Sequence, residues 1–138
     1  MQKNMHIVLA DDDTDDSELF SIILKRLDPK LVITVVEDGV KLLQLLENYP
    51  LPSLILLDLN MPRINGKQCI ELIRSDKRYN ELPVIVLSTC MQLQVKYDCL
   101  ASGANDYYVK PRSQVSTELL LCKIYQEQLV TKNKMANI

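Results

Sequence analysis

The chain has 138 residues, 47% of them hydrophobic and 25% charged, which is enough to bury one core without disulfide help. Sixteen basic against 18 acidic side chains leave no cationic surplus for a phosphate backbone, so direct binding to DNA or RNA is not expected. No segment approaches the roughly 18 apolar residues of a membrane span, and one histidine with no Cys-x-x-Cys pair argues against zinc and against a disulfide framework.

The run His6–Ala10 is short and apolar, the pattern of a strand buried on both faces, and too short for a secretory leader. It leads into ADDDTDDSE at residues 10–18, where five of the six residues 11–16 are aspartates. Like charges this close repel one another and oppose ionisation. Leu19, Ile22, Ile23 and Leu27 recur at helical spacing and predict a helix over Thr14–Leu27, capped by Asp13 or Thr14. Asp15, Asp16 and Glu18 suit its first turn, where the helix dipole favours negative charge. A strand is predicted over 31–36 and a helix over 40–48, stopped before Tyr49-Pro50.

Leu54–Leu57 predicts a third strand, followed by DLNMPRING at 58–66 and a helix from Gly66 to about residue 78. Residues 84–87 predict the fourth strand, which Ser88 and Thr89 follow; the next helix, over 92–102, stops at Gly103. Residues 107–109 predict the fifth strand, followed by Lys110 and Pro111. The last helix is predicted over 114–130, and 131–138 reads as a frayed tail. Cys69, Cys90, Cys99 and Cys122 all lie in apolar or helical contexts, as reduced thiols of a cytoplasmic protein would.

Strands alternating with helices give an α/β domain with a parallel sheet and right-handed crossovers. A single domain over 1–138, with its core at about 5–130, leaves no room for a second. In such sheets ligands gather at the carboxyl ends of the strands. There the sequence offers Asp11, Asp12 and Asp13 after the first strand, Asp58 after the third, Ser88 and Thr89 after the fourth and Lys110 after the fifth. Taken singly, Asp58 fits a turn cap, Ser88 and Thr89 fit backbone-bonded hydroxyls, Lys110 a solvated surface lysine and His6 a structural residue. Taken jointly, grouped carboxylates fit a hard divalent cation, and a carboxylate beside it can attack phosphorus. A hydroxyl and an ammonium would then meet the charge spread over the phosphoryl oxygens.

The pair Asp11-Asp12, the stretch DLNMPRING, the Leu87-Ser88-Thr89 triplet and YYVKP ending at Pro111 together resemble a response-regulator receiver domain, similar to the stand-alone chemotaxis regulator. The resemblance spans nearly the whole chain and implies a flavodoxin-like, doubly wound five-stranded sheet of order 2-1-3-4-5 with five helices. It implies Asp58 as phosphoacceptor from a phosphohistidine on a sensor histidine kinase or histidine phosphotransfer protein. It also implies Mg²⁺ (or Mn²⁺) held by Asp12, Asp58 and the backbone carbonyl of Asn60, with Asp11 acting through water. Ser88, Thr89, Lys110 and Tyr107 take the phosphoryl-stabilising and switch positions, and Lys110–Pro111 matches a cis bond. The output would be a protein bound at the face of the fourth helix, fifth strand and fifth helix, by a monomer or a phosphorylation-dependent homodimer.

Two departures from the family pattern stand out: Asn65 replaces an acidic residue before the glycine of the turn, and Arg112 replaces a common Phe; Cys90, two residues beyond Ser88, takes a position that by the resemblance affects phosphoryl lifetime. Two other chemistries fit poorly. A haloacid-dehalogenase-like phosphohydrolase needs Asp-x-Asp-x-Thr, whereas Thr14 comes one residue early. A calcium loop would require Gly at Asp16 and Glu at Ile22. A receiver that docks without being phosphorylated remains the alternative.

Overall fold

The structure, a computed structural model, describes residues 4–131. Its five parallel strands are β1 (His6–Ala10), β2 (Val32–Val36), β3 (Leu54–Leu57), β4 (Val84–Ser88) and β5 (Asp106–Val109), in the order β2-β1-β3-β4-β5. Between and after them run α1 (Thr14–Leu27), α2 (Gly39–Asn48), α3 (Gly66–Arg74), α4 (Leu93–Ser102) and α5 (Gln114–Tyr125). This is the flavodoxin-like arrangement that the resemblance implied.

Successive side chains of a strand point to opposite faces, and the central strands divide the core on that period. Val8, Ala10, Ile55, Leu57, Val84 and Val86 pack with Leu42 and Leu46 of α2, Ile70 and Ile73 of α3, and Cys99 of α4. Ile7, Leu9, Leu54, Leu56, Ile85 and Leu87 pack with Phe20, Ile23 and Leu24 of α1 and Leu121 and Ile124 of α5. Apart from His6 at the start of β1 and Ser88 at the end of β4, the strands β1, β3 and β4 therefore carry apolar residues throughout, whereas β2, at the sheet edge, leaves Val32 and Val35 exposed.

Several boundaries differ from the sequence expectation, each for a local reason. Asp38 accepts from the Lys41 N–H at 2.8 Å and so starts α2 at Gly39. The third helix ends at Arg74, four residues early, because Ser75 turns its hydroxyl onto the Leu72 carbonyl and Asp76 caps a separate 3₁₀ turn, Lys77–Tyr79. α5 gives way at Gln126–Thr131 to a wider π turn that buries Leu129. The frayed tail expected over 131–138 lies, apart from Thr131, outside the described residues.

Two features fix the sheet from its ends. At the carboxyl end the register pairs Ala10 with Leu57 and with Val36, Leu57 with Val86, and Ser88 with Val109. At the opposite end the Arg74 guanidinium donates to the carbonyls of Gly103, Tyr79 and Leu82 and to Asn105 Oδ1, each at 2.8 Å. Gly103 closes α4 at φ 118°, and a Cβ there would lie 2.4 Å from Arg74 Cγ, so both the backbone and the space require glycine.

Candidate phosphoacceptor site

The parallel ladder extends one residue past the strands, and this sets the backbone of the site. The Asp58 N–H donates to the Ala10 carbonyl at 2.8 Å, Asp11 to Val36 at 3.0 Å and Lys110 to Ser88 at 2.8 Å. Asp11, Asp58, Ser88 and Lys110 are thus brought to one edge from segments up to 99 residues apart. Asp11, Asp12 and Asp58 each offer a carboxylate oxygen within 4.8 Å of the others. Asp11 and Asp58 are buried, while Asp12 is exposed on the solvent side. The loop after β3 is held close by Gly66, where a Cβ would lie 2.5 Å from the Asp58 carbonyl oxygen.

Lys110 Nζ donates to Asp11 Oδ2 at 2.9 Å and to Asp16 Oδ2 at 2.8 Å, and stands 3.7 Å from Asp58 Oδ2. Burial disfavours its ammonium, but the hydrogen bonds to Asp16 and Asp11 outweigh that and raise its pKa above the ordinary lysine value. Burial is also the main reason the Asp58 carboxyl is pushed up to about 6. Lys110 opposes that rise, Asp11 adds to it, and the Asn60 N–H favours the charged form. Two buried carboxylates facing a third are unfavourable without a cation, and this donor set of hard oxygens fits Mg²⁺ or Mn²⁺.

The remaining expectations fall out unevenly. Ser88 is wholly buried as the last residue of β4, and its Oγ accepts from the Cys90 N–H at 3.1 Å. Thr89 is exposed, and among the described residues no hydrogen bond joins it to the carboxylates. Tyr107 is turned inward, with its hydroxyl donating to the Cys90 carbonyl at 2.7 Å. The Lys110–Pro111 bond is trans, contrary to the cis form the resemblance implied. The trans amide is favoured by about 0.5–1 kcal/mol at a bond before proline, and it already lets the Lys110 side chain reach the aspartates. Asp13 caps α1 by accepting from the Asp16 N–H at 3.0 Å, so the cap falls to Asp13 and not Thr14.

Asp16 is the site residue that sequence reasoning placed only in the helix dipole. Its signal was positional: helical side chains lean toward the N-terminus, and from the first turn of α1 that direction is the strand end. His6 is structural, with Nε2 2.8 Å from Thr34 Oγ1 on the neighbouring strand. All four cysteines are free thiols. Among the described residues no helix is long and apolar enough to cross a membrane.

The comparisons with known proteins match this geometry. The model of the response regulator receiver domain matches residues 7–120. The two-component response regulator ORR5 of rice (Oryza sativa subsp. japonica) is 30% identical over 106 residues, covering 77% of this chain and 78% of its own length. The phosphorylated cyanobacterial phytochrome response regulator RcpA superposes with a TM-score of 0.88 at 27% identity, over 94% of this chain and 96% of that one. The Mn²⁺-bound form of response regulator Rcp1 gives 0.81 at 27% identity, over 88% and 92%. A sheet of this order, with three carboxylates and a lysine at its carboxyl edge and a family match across most of its length, places the chain in the response regulator receiver family.

Proposed function

We propose that the chain is a phosphoacceptor switch of a two-component relay, in which Asp58 takes a phosphoryl group from a phosphohistidine on a sensor histidine kinase or a histidine phosphotransfer protein. The observation that carries this reading is a buried Asp58 set within 4.8 Å of two further carboxylates and 3.7 Å from the ammonium of Lys110, whose side chain is 8% exposed. One Asp58 oxygen forms the new P–O bond as the P–N bond to the donor imidazole breaks, and the bonding pair leaves with the nitrogen. Asp12, Asp58 and the Asn60 carbonyl would hold Mg²⁺ or Mn²⁺, with Asp11 reached through water. When bound, the ion neutralises the carboxylates and the charge on the transferred oxygens. Lys110 meets a phosphoryl oxygen from the other side, and the hydroxyls of Ser88 and Thr89, at the carboxyl end of β4 beside β3, would donate to the same group.

The readout would pass from Ser88 through Cys90, whose carbonyl holds Tyr107, to the face of α4, β5 and α5. That face leaves Leu93, Tyr97, Val109, Val115 and Leu119 between 40% and 68% exposed, which supports a protein partner there, an output protein or a second copy. As a receiver, the chain is a signalling module and not a conventional enzyme.

Incubation with Mg²⁺ and acetyl phosphate followed by intact mass tests the reading. One phosphoryl group is expected on the wild type and none on Asp58→Asn. A wild type that gains nothing under any donor condition would instead be a receiver that docks without being phosphorylated.

A further inference from the structure

The geometry points to Asp16 as a positioning residue of the phosphoryl site, one that holds the Lys110 ammonium back from Asp58 until a phosphoryl group draws it across. This rests on Asp58 being the phosphoacceptor. An ammonium has three N–H donors. Two are spent on Asp11 and Asp16 at 2.9 and 2.8 Å, and the third faces Asp58 at 3.7 Å, beyond hydrogen-bond reach. Two of the lysine's three donors are therefore committed to carboxylates other than the nucleophile.

The two partners are not equivalent. The Asp11 side chain is 6% exposed and that of Lys110 8%, so separating them would leave two buried charges without water. Asp16 is 33% exposed, so water can replace the ammonium there at small cost. Of the two bonds, the one to Asp16 is the one that can be given up. A phosphoryl group at Asp58 would carry more charge than a carboxylate and present three acceptor oxygens, enough to win the donor from Asp16 but not from Asp11.

The position of Asp16 is itself built. Asp13 accepts from its N–H at 3.0 Å and pins the first turn of α1, and the side chain leans back from there onto Lys110. The hold has two consequences of opposite sign. With Lys110 drawn away, Asp58 stays open to a divalent cation, so Asp16 favours metal binding. Because the donor must be won from Asp16, the phosphoryl group holds it less tightly, so Asp16 shortens the life of the phosphorylated form.

Asp16→Asn keeps the size and the helix start and removes the charge. In that variant Mg²⁺ affinity of the unphosphorylated protein, read by calorimetry, should fall about 3- to 10-fold, and the half-life of the Asp58 phosphate at saturating Mg²⁺ should rise by a similar factor. Asp16→Glu should restore both toward wild type. Asp15→Asn removes an equal charge from the same exposed turn without touching Lys110, and should change each by less than about 2-fold. A purely structural role for Asp16 would weaken metal binding and phosphorylation together, and such a parallel loss overturns the proposal. Equal effects of Asp15→Asn and Asp16→Asn overturn it in favour of bulk charge. A wild type that takes no phosphoryl group sinks the phosphoacceptor reading and this role with it, whereas a phosphorylated wild type matched in both measurements by Asp16→Asn sinks the role of Asp16 alone.

Discussion

At the scale of single residues, the carboxyl of Asp58 sits where burial and Asp11 both resist its ionisation, and its pKa rises to about 6 from 3.8. The folded, metal-free protein thus binds a proton between those values that the unfolded chain has released. Stability from this group is fully present below about pH 4 and is lost as the pH rises through about 6. Asp58→Asn should abolish that decline and stabilise the protein above pH 6 by roughly 1–3 kcal/mol, part of the shift being offset by the Lys110 charge. Urea unfolding in chelator at about pH 4 and about pH 7 checks this; an unchanged difference between the two pH values in the variant would contradict it. The same scale shows what the sequence could and could not reveal. Asp58, Ser88 and Lys110 were legible because each ends or follows an apolar run, and strand ends have a known address. Asp16 was not, because its partner lies 94 residues away and nothing local separates it from Asp15.

Among the elements, those packed on both faces were readable almost to the residue, since a strand buried on both sides is simply an unbroken apolar run. Helix ends were less so. Ile70 and Ile73 set a helical rhythm that points on toward Arg78, yet the Ser75 hydroxyl, donating to the Leu72 carbonyl, and the Asp76 carboxylate, accepting from the Arg78 N–H, end α3 sooner. α4 is the extreme case: it buries only Cys99 fully and has no side-chain cap on its first turn, so it was legible chiefly from Gly103. α3 shows the opposite economy. Asn65 accepts from the Gln68 N–H at 2.9 Å while Gln68 Oε1 accepts from the Asn65 N–H at 3.1 Å, a reciprocal cap that explains why an uncharged residue serves before Gly66. Asn65→Ala should cost about 1 kcal/mol, read as a lower urea midpoint with an unchanged slope.

For the whole molecule, the sheet separates two apolar layers, and its two ends carry different tasks. One end gathers the aspartates and Lys110; the other is tied by Arg74, whose burial lowers its pKa without removing its charge and whose donors are spent almost wholly on backbone carbonyls. Arg74→Ala should take the donor from the Gly103 and Leu82 carbonyls, leaving the Tyr79 carbonyl with the Leu82 N–H alone, and cost about 2–4 kcal/mol, with hydrogen exchange rising first at the C-terminal turn of α4 and at Asn105. If exchange rose evenly across the sheet, Arg74 would be a general stabiliser and not a local tie. The tie also gives α4 a mechanics of its own. The helix is fastened at Gly103, its first turn lacks a side-chain cap, and a groove of about 250 Å³ lined by Asn65, Lys67, Val95, Asp98 and Cys99 lies along its middle. Ten residues make an arm of about 15 Å, so a tilt of about 10° about the fastened end sweeps Leu93 through roughly 2–3 Å. α4 is thus built as a lever with its fulcrum at the opposite end of the sheet, and a small displacement beside Ser88 would be delivered at its longest radius, where Leu93 meets solvent.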